Sequence, residues 1–171
     1  MGEELTAGIK ALVDALPDGL NLIHADGHPS NALLCGDASS RSLMLIDMGD
    51  ISSGLPIMEI IGWSFLMNGT SYSPARMIGP MATGLDYDYL QQMYRKMMAS
   101  YLRITDSATL DRAVQAGAYV GALRFICIDQ VRITDPVKQQ RTIGMARQTL
   151  EHRQDVLDSI ALLKDLVAKA G

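Results

Sequence analysis

Apolar residues recur at helical spacing over most of the chain beyond Pro56, and this period limits the fold more than any other feature of the sequence. It predicts helices over residues 57–67 and 87–102, a long helix capped by Asp106 or Ser107, a helix that begins at Asp135-Pro136, and a final amphipathic helix. The side chains expected to face inward on the long and the final helix are Leu110, Val114, Val120, Leu123, Ile126, Val156, Ile160, Leu163 and Val167.

The first fifty residues have a mixed pattern. A helix with apolar residues from Leu5 to Leu16 is stopped by Pro17, Asp18 and Gly19. Three short apolar runs follow, at 20–23, 32–35 and 43–46, and we interpret the second and third as a β-hairpin. The predicted fold class is therefore mainly α within an α+β architecture, with residues 1–171 forming one domain.

Composition excludes several classes of protein. With 48% hydrophobic content in 171 residues, the chain can bury a core, and its net charge of −4 does not favour a nucleic-acid partner. The sequence contains no run of about 18 apolar residues, so no membrane span is predicted. Two cysteines, Cys35 and Cys127, are too few for a disulfide framework, so a cytoplasmic location is expected.

The loop before the predicted hairpin carries a chemical motif. In the segment HADGHPSN, the residues His24, Asp26 and Asn31 have the spacing of a kinase catalytic loop. Phosphoryl transfer needs a carboxylate that accepts the proton of the attacking hydroxyl, and a nearby oxygen that holds magnesium on the phosphates. Asp26 and Asn31 fit these roles, and Asp47 follows the hairpin where a kinase has its second metal-binding aspartate.

These motifs support a family resemblance over about residues 20–62. The segments LIHADGHPSNALL and LMLIDMGDISSGLPIMEI resemble the signatures of aminoglycoside phosphotransferases and choline kinases. The resemblance implies the helical C-terminal catalytic lobe of a protein-kinase-like fold, with the small β-hairpin between the catalytic loop and the metal-binding aspartate. It implies an enzyme that uses Mg²⁺ and ATP to phosphorylate a hydroxyl of a small molecule.

The same resemblance assigns roles to individual residues. It implies that Asp26 is the catalytic base and that Asn31 and Asp47 bind the metal and the nucleotide phosphates through it. It also implies that His24 braces the catalytic loop and that Glu59 accepts hydrogen bonds from the loop backbone.

The chain departs from the family pattern at several positions. Ala25 stands where the family has glycine, Gly27 replaces a large apolar residue, Met48 replaces an aromatic residue, and Glu59 replaces aspartate. None of these changes removes a catalytic atom. The Cβ of Ala25 would be costly if its backbone needs a positive φ, and Gly27 removes packing, so a reduced or altered activity is expected.

A larger departure is the lack of an ATP-binding lobe. No glycine-rich phosphate loop or strand lysine precedes Asp26, and 25 residues are too few for such a lobe. We therefore expect a fragment, a truncated gene product or half of a split enzyme, with poor ATP binding when alone. The expected partners are a small hydroxyl-bearing substrate and either a second copy of this chain or the missing N-terminal lobe, with neither nucleic acid nor membrane.

Several alternatives stay open. Asp26, Asn31 and Asp47 are also natural turn residues. His28 and Asp50 could contact the substrate or support the site, but either could equally have only a loop or turn role. His24, Asp26 and His28 could instead form a hydrolytic metal site that depends on zinc, or the chain could be a non-catalytic kinase-like binding module that needs a partner.

Overall fold

The computed structural model describes residues 2–19, 21–25, 31–37, 39–61, 80, 84–132 and 134–171, with the backbone alone for 128–132. The described chain is mostly helical, with small antiparallel sheets near the N-terminus, so the predicted α+β class is confirmed. Residues 57–61 are helical and Met48–Asp50 form a 3₁₀ turn. The named elements are α1 (Glu3–Val13), β1 (Asn21–Ile23), β2 (Ala32–Cys35), β3 (Ser42–Leu45), β4 (Ser52–Gly54), α2 (Tyr87–Tyr101), α3 (Ser107–Arg132), α4 (Pro136–Glu151) and α5 (Arg153–Ala170).

The long helix α3 is the centre of the helical body, because α2, α4 and α5 all pack against it. Small residues on α3, such as Ala113 and Ala116, are buried and allow this close packing. Of the residues predicted to face inward on α3, four are buried and Leu110 is half-buried against the same core. On α5 the predicted apolar face is also correct: Val156, Ile160 and Leu163 are buried.

Aspartates fix the starts of three helices. Asp86 accepts a hydrogen bond from the Tyr89 amide at 2.8 Å, and Asp106 accepts one from the Thr109 amide at 2.8 Å. Asp106 is thus the capping residue of α3, and Ser107 is its first helical residue. Asp135 accepts a hydrogen bond from the Val137 amide at 2.8 Å, and Val137 directly follows the proline that opens α4.

The predicted hairpin is present. Strands β2 and β3 pair antiparallel, with Ala32 opposite Leu45 and Cys35 opposite Ser42. Gly36 starts the connection with a φ of +91°, and a Cβ there would overlap the backbone oxygen of Ser40. The hairpin's turn therefore requires glycine at this position.

A second small sheet was not predicted. Strands β1 and β4 pair antiparallel, with Asn21 opposite Gly54 and Ile23 opposite Ser52. The sequence of β4, Ser-Ser-Gly, has no apolar alternation that would predict a strand. Gly19 lies so close to Gly54 that a Cβ on it would overlap the Gly54 backbone, so the chain entering β1 packs tightly on β4.

The predicted helix over 57–67 is observed for residues 57–61, and the rest lies outside the described residues. Within the described ranges, no helix combines the length and apolar character needed to cross a membrane.

Candidate functional site

The two small sheets bring two loops of the sequence together. In an antiparallel pair, the end of one strand lies beside the start of the other. Pairing of β1 with β4 therefore places His24 and Ala25 beside the residues that precede Ser52. Pairing of β2 with β3 places Asn31, which precedes β2, beside Ile46 and Asp47, which follow β3. The loop after β1 and the loop after β3 thus meet.

Asn31 and Asp47, the predicted metal ligands, lie at this meeting point. The Ile46 amide donates a hydrogen bond to the Asn31 backbone oxygen at 2.9 Å, which extends the β2–β3 ladder to the residue before Asp47. Asn31 is 7% exposed, whereas Asp47 is exposed to solvent. Amide and carboxylate oxygens are hard donors that suit Mg²⁺, and an exposed carboxylate leaves room for the waters that this ion retains.

His24 joins the two loops through its side chain. Its Nε2 lies 2.8 Å from the backbone oxygen of Ile46, and the ring is 8% exposed. Because a carbonyl oxygen only accepts, Nε2 must carry the proton and donate it. The ring therefore fixes the loop after β1 to the residue before Asp47.

Glu59 provides a second attachment for the same loop. The Ala25 amide donates a hydrogen bond to Oε1 of Glu59 at 2.9 Å. Glu59 belongs to the helical residues 57–61, and both partners are half-buried. The residue before Asp26 is thus attached to a carboxylate that is distant in sequence.

Both loops contain a residue with a left-handed backbone. Among the described residues, three that are not glycine have a positive φ: Ala25 at 64°, Asp47 at 59° and Arg103 at 53°. Such conformations cost a residue with a Cβ about 1–2 kcal/mol and persist where the surroundings impose them, often at functional sites. Ala25 lies in the first motif and Asp47 in the second.

Asp26 and His28, the predicted base and its neighbour in the loop, lie outside the described residues. Asp50 is half-buried in the 3₁₀ turn after Asp47 and lines a cavity.

That cavity has a volume of about 540 Å³. Ala25, Asp50 and Ser52 form the part of its wall nearest to the two motifs. The rest of the wall comes from the end of α1 and the residues that follow it, from Ile23 of β1, from β4 with Leu55 and Met58, and from one face of α3. Arg124 and Cys127 contribute from α3. Sequence reasoning missed both residues, because nothing local distinguishes them from other residues of a long helix.

The alternative of a zinc hydrolase gains no support from the described residues. Within those ranges, no group of three or more histidine, cysteine or acidic side chains is placed to hold a metal ion. His24 already uses Nε2 for the Ile46 carbonyl. Since Asp26 and His28 fall outside the described ranges, this alternative stays a prediction.

Comparison with protein-family models, with curated proteins and with solved structures gave no match to this chain.

Proposed function

We propose that the chain is the catalytic lobe of a small-molecule kinase, which transfers a phosphoryl group from ATP to a hydroxyl. One observation carries this proposal: the paired ends of β2 and β3 place Asn31 beside the residue that precedes Asp47. An amide oxygen and a carboxylate from two different loops are the ligands that kinase sites use for magnesium on the nucleotide phosphates.

The residues around Asp26 support a pre-organised loop. His24 and Glu59 hold the residues on its N-terminal side through hydrogen bonds of 2.8 and 2.9 Å to Ile46 and Ala25. A catalytic base must stay within hydrogen-bond reach of the hydroxyl, so attachment of its loop at two points serves the chemistry. Asp26 is the proposed base, and Asn31 and Asp47 are the proposed metal ligands.

Magnesium would neutralise charge that develops on the transferred phosphoryl group. The tasks of the protein are then to hold the metal through Asn31 and Asp47, to orient the acceptor, and to take its proton on Asp26.

The first experiment measures binding of Mg·ATP by titration calorimetry to the wild-type chain and to Asp47→Ala. We expect weak binding that depends on magnesium in the wild type and no binding in the variant. Asp158→Ala, which removes an exposed carboxylate from α5, is the matched control and should bind as the wild type does. Equal binding by Asp47→Ala, or no binding by any of the three, would contradict the proposal.

A second candidate function is a non-catalytic module that binds a partner. The apolar hairpin favours it, since Leu34, Leu43 and Met44 are 65%, 68% and 53% exposed. Large apolar side chains that cluster on a surface commonly mark an interface. In this case the chain alone would fail to bind Mg·ATP, and binding would need a second polypeptide that carries an ATP lobe.

A further inference from the structure

The 540 Å³ cavity borders both loops of the candidate site. Its wall includes Ala25, the residue before Asp26, and Asp50, which is three residues after Asp47. A molecule bound at this part of the wall would contact both loops of the candidate site. Its volume is within the range of about 300–1,000 Å³ that is usual for small-molecule sites.

The chemistry of the wall restricts what can bind. Among the described residues of the wall, the charged side chains are Asp18, Asp50 and Arg124. The apolar part of the wall includes Val13, Leu16, Ile23, Leu55, Met58 and Leu123. A ligand with many hydroxyl or ammonium groups would lose hydration against this wall without enough hydrogen bonds in return. A ligand with an apolar body would instead gain about 25 cal/mol for each Å² of apolar surface that it buries.

We infer that the acceptor is a small alcohol with an apolar body, which lies in this cavity with its hydroxyl towards Ala25 and Asp50, and that polycationic sugars are not substrates. This inference rests on the proposed kinase function. In the reaction, the acceptor oxygen bonds to the γ-phosphorus of ATP while the bond from that phosphorus to the β,γ-bridging oxygen breaks. The electron pair leaves with ADP, and the hydroxyl proton passes to the carboxylate of Asp26.

The labelling rate of the Cys127 thiol can be used to measure occupancy of the cavity. It is half-buried in the wall, and burial raises the pKa of its thiol, so its reaction with maleimides is slow enough to follow. Cys35 is the other cysteine and lies on β2, away from the cavity wall. A Cys35→Ser background therefore leaves one thiol to measure.

The test uses N-ethylmaleimide labelling of Cys127, followed by intact mass, without ATP. The probe is 4-phenylbutan-1-ol, with kanamycin and choline as the cationic comparators. At ten times its Kd, the alcohol should slow labelling roughly tenfold, because only the unoccupied fraction reacts. Kanamycin and choline should leave the rate unchanged. Protection by kanamycin or choline but not by the alcohol, or protection by none, overturns the inference.

A blocking variant locates the bound alcohol. Ser53 is an exposed residue of β4 that lines the cavity, so Ser53→Trp should cover the opening and abolish protection without disturbing the core. Ser42→Trp, at an exposed serine of β3 outside the cavity wall, is the matched control and should keep it. Protection that persists in Ser53→Trp would place the alcohol elsewhere and overturn the inference.

The outcomes also separate this inference from the proposed function. If Mg·ATP binds to the wild type but the alcohol does not protect Cys127, the substrate class is wrong and the kinase proposal stands. If the alcohol protects but Mg·ATP does not bind, the cavity takes apolar alcohols, and its role as an acceptor site is overturned.

Discussion

Ala25 and Asp47 hold left-handed backbone conformations on the two loops that meet at the candidate site. Aspartate tolerates this region better than most residues, because its short polar side chain can form local hydrogen bonds. Alanine has no such compensation. The hydrogen bond from the Ala25 amide to Glu59 is therefore the described contact that fixes an unfavourable backbone at 64°.

The strain at Ala25 leads to a stability prediction. We expect Ala25→Gly to raise the free energy of unfolding by up to about 1 kcal/mol. Glycine removes about 1–2 kcal/mol of backbone strain at this left-handed position, and this gain exceeds the free-energy cost of the extra conformational entropy that glycine loses on folding. Urea unfolding measures the change. Ala161→Gly, at an exposed position of α5, should instead lower stability by about 1 kcal/mol. Equal losses at both positions would show that Ala25 is not strained.

At the scale of elements, α2 and α3 pack closely through Gly117. A Cβ on Gly117 would overlap the hydroxyl of Tyr94, whose side chain is fully buried. Glycine in the middle of α3 costs helix propensity, so its presence there has a packing reason. The two helices can approach this closely because residue 117 has no side chain.

Gly117→Ala should therefore destabilise the protein by about 1–3 kcal/mol through overpacking, although alanine is the better helix former. Gly144 in α4 is the matched control, because a Cβ there meets nothing within 4 Å, and Gly144→Ala should stabilise by up to about 1 kcal/mol. Chemical unfolding reports both changes. Combining Gly117→Ala with Tyr94→Phe removes the hydroxyl and should recover part of the loss; no recovery would place the clash elsewhere.

The start of α3 gives a prediction about pH. Hydrogen bonds from Thr109, from its amide first and then its side chain, lower the pKa of Asp106 from its ordinary value of 3.8. A carboxylate with a lowered pKa in the folded state contributes stability that is present above the unfolded pKa and lost as the pH falls through the folded one. The contribution of Asp106 should therefore disappear on acidification below the ordinary value.

Asp106→Asn tests this behaviour, because asparagine keeps a capping oxygen but does not titrate in this range. We expect the stability advantage of the wild type over this variant at pH 7 to shrink as the pH falls below the ordinary pKa of 3.8. Thermal unfolding from pH 7 to pH 2.5 measures it. A difference that stays constant over this range would mean that Asp106 has the same pKa in both states.

At the scale of the whole molecule, the helical core is well covered, while the β2–β3 hairpin is exposed. Leu34 and Leu43 lie opposite each other in the register, and each is about two-thirds exposed, at 65% and 68%. Apolar residues in such a hairpin add little to the stability of the isolated chain, because they remain in water. They are available for association.

The double variant Leu34→Thr and Leu43→Thr keeps β-propensity and removes this apolar surface. We expect it to change the free energy of unfolding by less than about 0.5 kcal/mol and to reduce binding of the dye ANS and any self-association seen by sedimentation. Leu123→Ser, at a position with no exposure, should cost at least about 2 kcal/mol. A comparable loss in the hairpin variant would show that the hairpin is buried.

Local patterns in the sequence determined the helices, their starts and the hairpin, because helical apolar spacing, Asp caps and a Gly-containing turn act within a few residues. Asp135 caps its helix as predicted, and Asp106 is the one of the two predicted capping residues that caps α3. Ala32–Cys35 pairs with the strand that begins at Ser42. The spacing of Asp26, Asn31 and Asp47 along the sequence suggested phosphoryl transfer without any knowledge of where these residues lie in the structure.

Only the tertiary structure decided what depends on distant residues. The β1–β4 sheet needs the Ser-Ser-Gly strand to find a partner about thirty residues earlier, and its own side chains carry no signal for that pairing. The cavity likewise exists because α3 brings Arg124 and Cys127 against residues from α1 and β4. Such contacts follow from the packing of whole helices, which no local pattern specifies.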